Sequence, residues 1–398
     1  MKIRIFTLAV LSFSVLTILT SCNKTPDVTP QFQRGGNSLV LAANGNIVIA
    51  GFNTSSAKGY EATLVMTADA NSDSIVWAAT YGGSFSDAFY NVKKSNQGGF
   101  IATGFSNKSS ASSPAMLVVI TDVNGKMLKS KTYGGSAFTQ GFSVIPNADS
   151  GYLVAGVIQK TSNSDHDIYL VRINDSGDTL WTKSLGANSS DQYDTVNDAA
   201  YGVIAAPGGG YFLTGSLNGY SQYGGKVFLM KVSAKGDSLW TKTFAAGIGY
   251  SLTLTHQNGV VDGIAISGSL QEGSSQDIFL VKTDLDGKRL WSKTFGGSGF
   301  EYGASMIETS DGGFAIAGIT NSKGFGNQDV YLVHTNSLGE SPWEKTYGGA
   351  SDDQGFGLVE MPNNGGYCIT GLSNSGGSYI YLTRTSSDGT MTWEKYIK

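Results

Sequence analysis

The chain of 398 residues contains 54 glycines, 7 prolines and 2 cysteines, with 15% charged residues and a formal net charge of −4. These values exclude a collagen-like or low-complexity chain, and 40% apolar content is enough to build a core. The charge gives no electrostatic basis for binding nucleic acid, and two cysteines, Cys22 and Cys368, exclude a disulfide framework and a four-thiolate zinc site.

At the N-terminus, Lys2 and Arg4 precede an apolar run from Ile5 to Leu19 that holds no acid or base. The run is short for a membrane span and has the charge layout of a secretory signal peptide. It ends in Leu19-Thr20-Ser21-Cys22, which resembles a bacterial lipobox. The resemblance implies a signal peptide over 1–21, cleavage before Cys22 and lipidation of its thiol. Residues 22–30 then form the lipidated cysteine and a polar, proline-bearing tether. The implied address is the bacterial cell envelope, at the outer membrane or cell surface, with the membrane contacted through the lipid.

Residues 31–398 are a repeat. Trp77, Trp181, Trp240, Trp291, Trp343 and Trp393 sit in one recurring phrase, and Lys129 fills the missing slot. Consecutive slots lie 52, 52, 59, 51, 52 and 50 residues apart. A second phrase, as in GGFIATG (98–104) and GGYCITG (365–371), recurs about thirty residues before each Trp slot. A fixed period near fifty means one supersecondary unit reused.

Each copy offers four short stretches rich in Val, Ile, Tyr, Phe and Thr, bounded by Gly, Asn, Asp or Ser. In the third copy they are 142–146, 151–157, 167–173 and 179–185. No segment has sustained helical periodicity. The expectation is an all-β chain folded as a seven-bladed β-propeller of four-stranded antiparallel blades. The blades fall at 31–83, 84–135, 136–187, 188–247, 248–297, 298–349 and 350–398. A β-solenoid is the runner-up, but its rungs repeat at shorter periods. Because the first copy takes all its strands from the N-terminal side and the last all from the C-terminal side, closure is expected from side-chain packing, unless Gln31 and Phe32 add a strand.

The interval from Gly to Trp is four residues in Gly177/Trp181, Gly236/Trp240, Gly287/Trp291, Gly339/Trp343 and Gly389/Trp393. This phrase is similar to the tryptophan-docking repeat of quinoprotein-type propellers. The resemblance implies that each Trp docks on the neighbouring blade and is structural. It transfers no cofactor, because the chain has no adjacent cysteine pair and no recognisable quinone motif.

Superposing the copies places Arg34, Asp87, Thr139, Asp198, Ser251, Glu301 and Asp353 in one slot just before the inner strand. In a propeller these side chains would ring one mouth of the channel and could bind a cation or polar ligand. The alternative is that each acid caps its own loop by accepting backbone N–H groups. Tyr193, Tyr220, Tyr223 and Phe325 are aromatics in variable loops, suited to protein or carbohydrate contact. The turns at 69–73, 174–178 and 284–287 have the Asp, Asn and Gly of tight hairpins; calcium at one or two of them is the alternative, and no other metal or cofactor is implied.

His166, His256 and His334 fall in different copies and are expected on the surface, His334 in a solvent-facing basic slot shared with Arg172, Lys231 and Lys282. Cys368 lies in an apolar strand and is expected to be a buried hydrophobe. With no catalytic constellation in the sequence, the expected function is a monomeric, non-catalytic binding or scaffolding module for an envelope protein or glycan. The alternative is a polysaccharide lyase or hydrolase working at the channel mouth.

Overall fold

The computed structural model describes residues 34–55, 59–68, 74–83, 85–107, 113–160, 165–186, 197–218, 225–272, 275–363, 365–375 and 377–397. Every regular element among them is a strand, and every named strand pairs antiparallel with its neighbours. The first sheet is β1 (Arg34–Leu41), β2 (Ile47–Ser55), β3 (Gly59–Thr67) and β4 (Ile75–Tyr81). The second is β5 (Asp87–Lys94), β6 (Phe100–Ser106), β7 (Ala115–Thr121) and β8 (Met127–Tyr133). The third is β9 (Phe138–Pro146), β10 (Tyr152–Gln159), β11 (His166–Ile173) and β12 (Thr179–Leu185).

A seven-stranded sheet follows. It contains β13 (Ala199–Ala205), β14 (Tyr211–Leu217), β15 (Lys226–Val232), β16 (Ser238–Gln257), β17 (Val260–Glu272), β18 (Ser275–Thr283) and β19 (Arg289–Phe295). Then come β20 (Glu301–Glu308), β21 (Phe314–Thr320), β22 (Asp329–Thr335) and β23 (Trp343–Tyr347). The last sheet is β24 (Asp353–Glu360), β25 (Tyr367–Ser373), β26 (Tyr379–Thr385) and β27 (Met391–Ile397).

Six sheets therefore stand where the repeat count leads one to expect seven. The difference lies in β16, a strand of 20 residues. Its first part, up to Ala246, pairs with β15, and its second part, from Gly247, pairs with β17. The fourth and fifth repeats are thus joined by a continuous strand where the other repeats are separated by a loop.

The two middle strands of each sheet are covered on both faces, so they are near-continuous apolar runs; β7, β21 and β25 are buried at every residue. The fourth strand of each repeat is exposed along much of its length, as in β4 and β19. Apolar clusters fill the spaces between successive sheets. One cluster joins the two ends of the chain: Leu39, Ile47, Ile49 and Val65 pack against Cys368, Ile380, Leu382 and Ile397. Among the described residues the first and last sheets share no backbone pairing, and these side chains close the circuit.

The indoles sit at the outer end of each interface. The rings of five of the six Trp cover the turn glycine of the following repeat: Trp77 on Gly125, Trp181 on Gly236, Trp240 on Gly287, Trp291 on Gly339 and Trp343 on Gly389. These glycines have φ between +74° and +80°, and a Cβ at any of them would lie 2.6–2.9 Å from the ring. Four residues further along the outer strand, a tyrosine hydroxyl donates to the same glycine's carbonyl: Tyr81 to Gly125 at 2.5 Å and Tyr347 to Gly389 at 2.7 Å. Where Lys129 replaces Trp, Tyr133 still donates to Gly177 O at 2.7 Å, and Lys131 pairs with Asp178. A Cβ on Gly177 would meet nothing closer than 3.4 Å. By the repeat the counterpart of these glycines in the first copy is Asp73, which lies outside the described residues.

Gly177 and Gly339 share a left-handed backbone but differ in what lies above them, which separates backbone strain from ring contact. Gly177→Ala is expected to cost about 1 kcal/mol, the strain alone. Gly339→Ala adds a clash with Trp291 and should cost at least ~2 kcal/mol, while Trp291→Ala should cost ~3 kcal/mol. Lys129→Trp should be neutral or stabilising. Equal losses at the two glycines in denaturant melts would contradict the docking account.

Candidate functional site

The inner strands carry the groups of interest. Arg34, Asp87, Glu301 and Asp353 open β1, β5, β20 and β24, Thr139 is the second residue of β9, and Asp198 immediately precedes β13. The four acids are buried, with at most 1% exposure. Each accepts backbone N–H groups from nearby loop chain. Asp87 Oδ2 accepts Gly83 N at 2.8 Å, Glu301 Oε2 accepts Gly297 N at 2.9 Å, and Asp353 Oδ2 accepts Gly349 N at 2.8 Å. Asp198 Oδ1 accepts Asn218 N at 2.8 Å. Thr139 Oγ1 accepts Met116 N and donates to Tyr133 O. These contacts are those of loop caps: each side chain fastens a segment of chain where one repeat passes to the next or a hairpin ends.

The fifth member of the slot is Gly247, not Ser251. Every inner strand has a β-bulge, and the ladder skips Asn37, Tyr90, Phe142, Tyr201, Tyr250, Ala304 and Phe356. Counting three residues back from Tyr250, as from the other six, reaches Gly247. Ser251 follows the bulge, and its Oγ accepts Met306 N at 3.2 Å, tying two inner strands together. Asn37 does the same through Phe89 O, and Asn91 through Val144 N.

All four acids have a second carboxylate within electrostatic reach on the third strand of the preceding repeat: Glu61 for Asp87, Asp167 for Asp198, Asp277 for Glu301 and Asp329 for Asp353. A Cβ on Gly296 would lie 2.2 Å from Asp277 Oδ1 and 2.6 Å from Glu301 Oε2, so the missing side chain leaves room for both. Gly186 lies likewise between Asp167 and Asp198. Burial raises the pKa of Asp329, and the charges of Asp353 and Asp352 add to it. Burial also raises Asp353 and Asp87, against opposing hydrogen bonds from Ser373 and Gly349 and from Ser106 and Gly83. Glu301 goes the other way. Burial pushes it up, but hydrogen bonds from Thr320, Ser322 and Gly297 outweigh that and hold it below its ordinary value. Among the described residues, no three His, Cys, Asp or Glu side chains converge as a metal site requires.

The bulges aim aromatic side chains at one another around the ring. Successive ring centroids lie 5.5 Å apart for Tyr90–Phe142, 4.8 Å for Phe142–Tyr201, 5.3 Å for Tyr201–Tyr250 and 4.3 Å for Tyr250–Tyr302. In the sixth repeat Ala304 occupies the bulge, and Tyr302 supplies the ring from two residues earlier. Burial keeps the Tyr90, Tyr250 and Tyr302 phenols protonated, with their pKa values raised far above the ordinary range. None of these aromatics is singled out by the sequence reading, although an aromatic three residues after the slot in five copies is a visible signal.

The remaining candidates divide clearly. Phe325 is 86% exposed on the loop before β22. Cys22, Tyr193, Tyr220 and Tyr223 lie outside the described residues. Cys368 is fully buried in the closing cluster. The turns at 174–178 and 284–287 close on themselves: Asn174 Oδ1 accepts Ser176 N and Asp178 N, and Asp284 Oδ1 accepts Asp286 N and Lys288 N.

His334 is not on the surface. It is 7% exposed, stacked on Trp343 at 4.9 Å, with Nδ1 3.0 Å from Tyr367 Oη and Nε2 3.3 Å from Asp311. Arg172, in the same slot, is 5% exposed and bonds Asp149 and Ser150. The third strand is covered on both faces, so these two side chains lie mostly buried and reach partners, Asp311 and Asp149, that are themselves exposed. His256 is exposed and pairs with Glu308 at 2.6 Å, and His166 contacts Asn197.

Solved structures show what this arrangement is. Over 92% of its length the chain is similar to the BP39L lectin from Burkholderia pseudomallei, with 98% of that chain covered, a TM-score of 0.54 and 9% identity. It is similar to Sqt1 of Chaetomium thermophilum bound to the N-terminus of the ribosomal protein L10, over 92% and 88% of the two chains, with a TM-score of 0.52 and 11% identity. It is also similar to the β-propeller domain of the Trilobed protease from Pyrococcus furiosus, described as having an open velcro topology, over 92% and 96%, with a TM-score of 0.50 and 11% identity. The chain is a β-propeller. At these identities the likeness concerns the fold alone. No protein-family model matches the chain. Among curated proteins, the regulatory protein FlaEY of Caulobacter vibrioides is 27% identical over 191 residues, 42% of this propeller chain. The match spans only 20% of FlaEY's own length.

The buried acids give the propeller a testable pH response. A carboxyl whose folded pKa is raised binds its proton more tightly when folded, so its contribution falls as pH rises from about 3.8 through the folded value. Asp87→Asn and Asp353→Asn should therefore flatten the loss of stability on going from pH 4 to 7. Glu301, with a lowered pKa, stabilises above about 4.5 and loses that contribution on acidification. Glu301→Gln should remove that acid-sensitive part. Urea melts at pH 4, 5.5 and 7 check both signs.

Proposed function

We propose that this propeller is a monomeric, non-catalytic binding or scaffolding module of a bacterial cell envelope, held at the membrane by lipid on Cys22. Its partner is a protein or glycan met at the loop surface. The observation that carries the reading is Phe325, a large aromatic held in solvent by a braced loop. Gly326 N donates to Asp329 Oδ2 at 3.0 Å, and Lys323 Nζ donates to Tyr331 Oη at 2.8 Å and pairs with Glu344. Exposing an aromatic side chain on a preorganised loop costs little further entropy on binding, which is how contact residues act. The lectin and the L10-bound Sqt1 add support, since one is a propeller named for binding and the other a propeller seen with its partner.

We read the propeller as seven blades. The division of β16 at Gly247 supports this count, with the first part serving as the outer strand of one blade and the second as the inner strand of the next. The repeat spacing of the Trp slots supports it as well. The recurring Gly-to-Trp phrase, with the ring seated on the next turn, favours a relationship to tryptophan-docking propellers.

The test is capture of envelope proteins and a glycan array, comparing the parent with Phe325→Ala. Binding to a specific partner should weaken at least tenfold in the variant. Turnover of a polysaccharide by the parent, or binding unaltered by the substitution, would count against the reading. Cys22→Ala should lose membrane fractionation and palmitate labelling, and retained labelling would remove the anchor.

A further inference from the structure

We infer that the seam between the last and first sheets is a binding site for a short aliphatic carboxylate. The inference does not depend on the partner proposed above. At four other junctions the slot residue, Asp87, Thr139, Glu301 or Asp353, bonds the chain that runs from the outer strand of one repeat to the inner strand of the next. At the seam between β27 and β1 the slot holds Arg34, where four of its counterparts are acids. The charge at this seam is reversed relative to those four.

A cavity of about 210 Å³ lies there, lined by Arg34 and Asn53 on one side and by Val65, Ile75, Ile380 and Ile397 among its apolar walls. Ile397 stands four residues beyond Trp393, the position from which Tyr81, Tyr133 and Tyr347 reach across to a neighbouring turn in their own seams.

Arg34 Nε donates to Asn53 Oδ1 at 2.8 Å, which fixes the guanidinium plane. Its two terminal nitrogens make no hydrogen bond to the described residues. A held guanidinium with two parallel donors matches a carboxylate in geometry and in charge. The aliphatic wall supplies the apolar surface that an alkyl chain buries. The volume corresponds to roughly seven waters, so the chain should have about five to eight carbons.

The test is a saturation-transfer NMR titration of the purified protein with hexanoate, with acetate and hexylammonium as comparison probes. Hexanoate should give saturable transfer, acetate should bind at least fivefold more weakly for want of an alkyl chain, and hexylammonium should not bind. Arg34→Gln should weaken hexanoate at least tenfold, and Arg34→Lys should retain part of the binding. No saturable transfer with hexanoate, equal binding of hexylammonium, or an Arg34→Gln protein that melts and binds like the parent would each overturn the site. If Arg34→Gln fails to fold, the three probes on the parent protein still decide.

Discussion

The propeller depends on packing side chains between sheets whose backbones touch mostly through single hydrogen bonds, such as Thr139 N to Pro114 O and Asp353 N to Gln328 O. Within a repeat, the antiparallel ladder satisfies the backbone. Between repeats, most of the adhesion comes from buried aliphatic and aromatic groups and from an indole seated on a glycine. The glycine serves twice: it takes the left-handed backbone of the hairpin turn, and its missing side chain makes the flat surface that the ring covers. A substitution that keeps the turn but adds one carbon disturbs the neighbouring sheet as well as its own. Among the described residues the closing seam has no strand exchange, and the cluster around Ile47, Ile49, Ile380 and Leu382 packs the two ends together.

Polar groups inside this framework follow from the same geometry. A loop that leaves an outer strand and enters the next inner strand passes over a buried seam, and its N–H groups need acceptors there. Carboxylates supply them, at the cost of burying charge, and the opposed pKa directions of Glu301 and Asp353 measure how fully hydrogen bonds offset that burial at each site. The bulges shift the inner strands so that aromatic rings from successive repeats meet, giving the ring an inner tier of contact as well as the outer tier of indoles.

Much of this is legible in the sequence because a repeat reports the same physical demand several times. The Trp slots, the turn glycines and the four strands per copy emerge from spacing alone. Ser251 falls in the wrong slot because β16 carries the fifth repeat's inner strand without a break from the preceding outer strand, so no local signal marks where that inner strand begins. His334 and Arg172 read as solvent-facing because a strand covered on both faces hides its polar residues among packed sheets, where only their partners Asp311 and Asp149 reveal the arrangement. The aromatic tier and the paired carboxylates at Gly296 join residues from different repeats, and superposing copies compares equivalent positions without showing which of them touch.

The measurement that tests the packed closure most directly is amide hydrogen exchange, followed by mass spectrometry, on the parent and on Ile49→Ala. If side chains alone hold the last sheet to the first, peptides from β1–β3 and from β25–β26 should lose protection together, while β10 and β11 remain as protected as in the parent. Loss confined to the first sheet, with β25 and β26 unchanged, would contradict closure through that cluster.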